Sequence, residues 1–122
     1  MPKMRILLIE NDMNSARRLA QLLEEDGHRV AVAMSAEEAF ADAPAFRPEL
    51  VISDFDLSGQ MEGFAICGII TTSLALVPVI MVTDRQLEKA ILACKQLCPL
   101  AVFRKPVEYE ELSRLITGFR IH

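Results

Sequence analysis

Short apolar runs alternate along this chain with longer stretches whose apolar residues recur every three or four positions. The runs read as buried strands and the stretches between them as amphipathic helices. Arg5-Ile6-Leu7-Leu8-Ile9 is the first strand, and it stops at Glu10-Asn11-Asp12. Asn14 or Ser15 can cap the helix that follows, which runs to about Asp26 through Ala16, Leu19, Ala20, Leu22 and Leu23. Gly27 closes it. Residues 28–34 alternate loosely with valines as a second strand, and Ser35-Ala36-Glu37-Glu38 supplies a capping box for a helix through Ala39, Phe40 and Ala43. Pro44 and Pro48 are expected to bracket the next loop.

Leu50-Val51-Ile52-Ser53-Asp54 is the stretch around which the rest is organised. It is a short apolar run ending in a carboxylate, the pattern of a buried parallel strand presenting Asp54 at its carboxyl end. After the turn Phe55-Asp56-Leu57-Ser58-Gly59 a helix is expected over about 63–73. Val79-Ile80-Met81-Val82 is the next strand and ends at Thr83-Asp84-Arg85; a helix over about 86–97 and a strand over 100–103 follow. Arg104-Lys105-Pro106 leads into a last helix over about 108–119, with Leu112, Leu115 and Ile116 on its inner face.

A βα unit repeated five times predicts an α/β fold, a doubly wound five-stranded parallel sheet with right-handed crossovers. At 122 residues and 52% hydrophobic, the chain fits a single domain over 1–122. The polar strand ends and Lys105 then converge on one edge, where open α/β sheets bind ligands.

The formal net charge of -4 offers no general attraction to nucleic acid or to an anionic membrane, which leaves proteins as the expected partners. No apolar run reaches membrane-spanning length and no signal peptide is visible, so the expected location is cytoplasmic. Cys67, Cys94 and Cys98 are odd in number and lack a CxxC spacing, which argues against a disulfide framework or a zinc site; Cys94 and Cys98 share one face of a helix, where a redox or metal role is conceivable, but small buried hydrophobes are the favoured reading.

Glu10, Asn11, Asp12 and Asp54 supply hard oxygen ligands suited to a magnesium ion that keeps several waters. A carboxylate beside magnesium, a threonine hydroxyl and a lysine ammonium can receive a phosphoryl group, because the transfer needs positioning and charge neutralisation above all. Asp54 is then the nucleophile, Thr83 bonds one phosphoryl oxygen and Lys105 places a point charge on another.

Over nearly its whole length the chain resembles the receiver domain of two-component response regulators. The matching pieces, in order, are Ile6 to Asn11, Leu50 to Asp54, Ile80 to Thr83, and Lys105-Pro106. The resemblance implies a flavodoxin-like sheet of order 2-1-3-4-5. It implies that Asp54 accepts phosphate from a sensor histidine kinase or phosphotransfer protein, and that Glu10, Asn11, Asp54 and the backbone carbonyl of Asp56 bind Mg2+. Thr83 and Lys105 would read the phosphoryl group. The Lys105-Pro106 bond would be cis. No enzyme activity is implied beyond self-phosphorylation on Asp54 and autodephosphorylation.

Several positions depart from the family pattern. Asn11 stands where the second member of the acidic pair is usually Asp, which removes a charge and weakens magnesium binding. Asp12 compensates only if the loop turns it inward. Asp84 replaces a small residue and either hinders the phosphodonor or restores the charge lost at Asn11. Arg85 and Asp56 flank the site with opposite charges. The loop Ser58 to Gly63 is one residue longer than the commonest form, and Val102 stands where an aromatic switch residue is usual.

Two classes of function follow: a phosphoacceptor that switches a protein-binding surface, or a phosphorylation-independent pseudo-receiver acting as an interaction module. An enzyme on the same sheet is disfavoured, since no glycine-rich phosphate loop follows the first strand and only His28 and His122 are available. The output is expected in a downstream protein or a fused domain, and homodimerisation through the fourth and fifth helical faces is a family tendency.

Overall fold

The computed structural model describes residues 3–54, 77–84 and 99–121. The helices expected over 63–73 and 86–97, the loop over 58–63 and the three cysteines lie outside the described residues. Arg5–Ile9 (β1), Arg29–Ala33 (β2), Leu50–Asp54 (β3), Val79–Thr83 (β4) and Ala101–Arg104 (β5) form a parallel sheet of order β2-β1-β3-β4-β5. Every residue of β3 and β4 is buried. Their near-continuous apolar character has this cause, since a central parallel strand is covered on both faces. The register sets Ile9 beside Ser53, Asp54 beside Val82, and Thr83 beside Arg104, so the polar strand ends share one edge.

The first helix, Met13–Glu25 (α1), is capped by neither Asn14 nor Ser15. Asp12 is the N-cap: its Oδ1 accepts the main-chain N–H groups of Asn14 at 3.0 Å and Ser15 at 3.5 Å, while its Oδ2 accepts the Ser15 hydroxyl at 3.1 Å. A carboxylate there answers both the orphan donors and the positive end of the helix dipole. Gly27 closes α1 as expected, with φ 96°, as the Gly27 N–H bonds Glu24 O and the His28 N–H bonds Leu23 O.

Ala36–Phe46 (α2) begins at Ser35, whose hydroxyl accepts the Glu38 N–H at 3.1 Å, and Glu38 reaches back to the Met34 N–H. Pro44 was expected to end this helix but lies inside it. Buried Ala39 and Ala43 and half-buried Phe46 hold the helix on the sheet through its last turn, and the Arg47 N–H bonds Ala43 O from a left-handed conformation with φ 54°. That packing outweighs the one hydrogen bond proline removes. Phe40 is not part of the inner face and stands exposed. The last helix is Tyr109–Ile121 (α3).

Alternate residues of each strand feed separate cores, as the two-residue period of a strand requires. Leu7, Ile9, Val51, Val79 and Met81 pack with Ala39 and Ala43 of α2. Ile6, Leu8, Ile52, Ile80 and Val82 pack with Ala16, Ala20 and Leu23 of α1 and with Leu112 and Ile116 of α3. Val102 joins the first core and Phe103 the second, so the aromatic neighbour faces away from the switch position. Among the described residues no helix is long and apolar enough to cross a membrane.

Candidate functional site

The ends of β1, β3 and β4 and the residue after β5 bring Glu10, Asp54, Thr83 and Lys105 to the carboxyl edge of the sheet. β3 is paired on both sides, which leaves its last residue, Asp54, only 4% exposed; Glu10 is 6% exposed and Thr83 fully buried. Carboxylates this deep need partners. Lys105 provides one for each, with Nζ 2.9 Å from Asp54 Oδ2 and 3.0 Å from Glu10 Oε2. The lysine is itself anchored: its main-chain N–H donates to Thr83 O at 2.8 Å, and the Lys105-Pro106 bond is cis.

Glu10 is held from its other side by the Asp12 N–H, 3.0 Å from Oε1, and the Glu10 N–H bonds Ala33 O of β2. Burial pushes the Glu10 carboxyl above its ordinary range, and the nearby charge of Asp54 adds to this, while the Asp12 N–H and Lys105 draw it partly back. Burial opposes the charge of Lys105, but its hydrogen bonds to Asp54 and Glu10 outweigh that and raise its pKa overall. The ammonium is therefore firmly charged at neutral pH.

The remaining candidates separate. Asp12 does not turn its carboxylate inward, because the α1 cap claims both oxygens; only its main-chain N–H serves the site. The hydrogen bonds from Ser15 hold the Asp12 carboxyl below its usual range. Asn11 and Asp84 are exposed at the rim. Asp56 and Arg85 lie outside the described residues. Asp54 and Lys105 open into a groove between α1 and the segment after β5, bordered by Ser15, Arg18, Pro106 and Val107.

The donor set suits magnesium, which takes one or two carboxylates and retains waters. Among the described residues no three His, Cys, Asp or Glu side chains gather as a metal cluster, so a divalent ion here would rest on Glu10 and Asp54.

The family model for the response regulator receiver domain matches residues 6–117. The chain is similar to protein PilH of Pseudomonas aeruginosa, 28% identical over 116 residues that cover 93% of this chain and 95% of that protein. It is also similar to nitrogen assimilation regulatory protein NtrX of Azorhizobium caulinodans, 30% identical over 93 residues, 75% of this chain; it spans only 20% of the length of that protein. Among solved structures, the signal receiver domain of a DNA-binding response regulator from Colwellia psychrerythraea superposes with a TM-score of 0.89 at 26% identity, covering 98% of this chain and 99% of that one. With the edge geometry above, these matches establish that the chain belongs to the response regulator receiver domain family of two-component systems.

Proposed function

We propose that this receiver is a phosphoacceptor in which Asp54 takes a phosphoryl group from a sensor histidine kinase or phosphotransfer protein. The observation that carries the reading is a buried aspartate at the end of the central strand with an ammonium 2.9 Å from its oxygen. A carboxylate oxygen of Asp54 attacks phosphorus in line. The new O–P bond forms as the N–P bond of a phosphohistidine breaks, and the imidazole leaves carrying the electron pair of that bond.

Lys105, now shared by Glu10 and Asp54, turns its charge to a phosphoryl oxygen, and the Thr83 hydroxyl donates to another. Glu10, Asp54, Asn11 and the carbonyl of Asp56 would hold magnesium, which supplies charge neutralisation at the reacting oxygens. Asn11 contributes an oxygen without a charge, so the ion is held weakly. Asp84 at the rim repels an incoming phosphodonor and slows labelling.

Phosphorylation draws Lys105 from Glu10 and shifts the population toward a state with a changed protein-binding surface. With Val102 in place of an aromatic, that shift works through Thr83 and Lys105 alone. The domain spans 1–122 and acts in the cytoplasm on a downstream protein or a fused output domain, with no direct contact to nucleic acid or membrane.

A second reading, a phosphorylation-independent interaction module, is favoured by Asn11 and by the way Lys105 already balances both carboxylates. Labelling by acetyl phosphate across a magnesium series, for the wild type beside Asn11→Asp, separates the two. The phosphoacceptor reading expects both to label, with Asn11→Asp reaching half-saturation at lower magnesium. Labelling of Asn11→Asp alone would favour the module.

A further inference from the structure

β2 is an outer strand of the sheet and pairs only with β1 among the described residues. The Arg29 N–H donates to Met4 O, and Ala33 O accepts the Glu10 N–H. Residues 29, 31 and 33 therefore commit their main-chain groups to β1. Alternation in a parallel ladder leaves the N–H and C=O groups of Val30 and Val32 directed to the open edge.

Sheet edges are normally blunted by proline, lysine, a bulge or a covering element. The run Arg-Val-Ala-Val-Ala has no proline and a one-to-one register, with its only charge at the first residue. Beside it lies an open groove lined by Arg17, Ala20, Gln21, Glu24, Glu25 and Val32, and Val32 is 38% exposed.

The charges of this groove are ordered. Down one stripe of α1 they run from positive at Arg17, through neutral Gln21, to negative at Glu24 and Glu25. The turn at Gly27 makes α1 antiparallel to β2, so Arg17 lies toward the Ala33 end and the glutamates toward the Arg29 end. A two-fold contact requires a self-complementary patch, and a positive-to-negative stripe reversed on itself is one.

We infer that β2 is a pairing edge for a second copy of this chain, with the two β2 strands antiparallel about Ala31. In that register Val30 faces the partner's Val32, and the pair exchanges both N–H···O bonds. The two-fold repeats this, which gives four main-chain bonds across the edge. Slipping the register by one residue sets Val30 opposite a residue whose main-chain groups already serve β1, so the slipped pairing fails. Arg17 of each copy meets the partner's Glu24 and the partner's Glu25. The main-chain bonds and the covered valines give the attraction, and the exposed charges fix orientation. None of this involves Asp54.

Sedimentation of the full chain tests it. The expected result is a concentration-dependent dimer in the wild type, with the dissociation constant raised at least tenfold by Arg17→Glu and by the double change Glu24→Lys with Glu25→Lys. Those variants lie on an exposed helix face and leave the fold intact. Mixed in equal amounts, the two should recover a heterodimer, because each end of the contact again joins opposite charges. Val32→Pro, which removes only an outward donor, should weaken the dimer to a similar extent. A wild type that stays monomeric to high micromolar concentration would overturn the inference. So would a dimer indifferent to these changes, or a mixture that remains monomeric.

Discussion

Lys105 and Asp54 meet at 2.9 Å at the carboxyl edge of the sheet, and the same ammonium stands 3.0 Å from Glu10. One cation thus serves two buried carboxylates, of which Glu10 is raised by its burial first and by the charge of Asp54 after it.

Removing that cation should cost stability in a pH-dependent way. Lys105→Ala leaves both carboxylates buried without their partner, a loss of roughly 2–3 kcal/mol near neutral pH, since Lys105 is partly solvated and a fully buried pair would cost more. A carboxyl raised in the folded state gives stability that is complete below its unfolded pKa and is lost as pH rises through the folded value. Glu10 is raised further in the variant, so the deficit should shrink on acidification from pH 7 to 5. Urea denaturation of both proteins at the two pH values measures it.

The Tyr109 hydroxyl ties α3 to the end of α1, 2.5 Å from Asp26 Oδ2 and 3.1 Å from Leu22 O, with Ser113 Oγ 3.3 Å from the same carboxylate. The Tyr109 hydrogen bond lowers the Asp26 pKa, and burial followed by Asp26 raises that of Tyr109. The lowered aspartate gives stability present above its unfolded pKa and lost as pH falls through the folded one. The raised phenol gives stability present below its ordinary value of 10.0 and lost as pH rises through its folded value. Tyr109→Phe should therefore cost about 1 kcal/mol at pH 7. The gap between wild type and variant should narrow at both pH extremes, which urea midpoints across pH would record.

Asp12 acts as a helix cap. Asp12→Ala should lower the melting temperature by roughly 3–5 °C. Magnesium affinity should change less than about twofold, because the Asp12 contribution to Glu10 is a main-chain N–H that alanine keeps. Calorimetry and magnesium titration on the same variant check both halves.

Two left-handed residues predict opposite signs. Gly27→Ala meets nothing closer than the Lys3 side chain at 3.6 Å, so its cost, about 1 kcal/mol, is conformational. Arg47→Gly relieves the same conformation at φ 54° and should stabilise by roughly 0.5 kcal/mol after the added freedom of the unfolded chain is offset. Thermal melts of the two variants should move in opposite directions.

The inner strands β1, β3 and β4 and the polar edge were legible because burial on both faces imposes continuous apolar runs, and each run ends where the chain leaves the core. Asp54, Thr83 and Lys105 were placed by that logic alone. The cap of α1 was not, since Asp12, Asn14 and Ser15 are all good cap residues and what selects the first is the extended backbone at Asp12, φ -91° and ψ 111°, which no residue type announces. Pro44 misled because its local cost was set against no knowledge of what Ala43 and Phe46 would bury. The Tyr109–Asp26 tie was invisible because its partners are 83 residues apart and nothing periodic links them.

Intact-protein mass after incubation with magnesium and acetyl phosphate, for the wild type beside Asp54→Ala, tests the central claim most directly. The account predicts a gain of about 80 Da, one phosphoryl group, in the wild type and none in the variant. An equal gain in both would move the acceptor away from Asp54. No gain in the wild type, under conditions where Asn11→Asp labels, would contradict the phosphoacceptor reading.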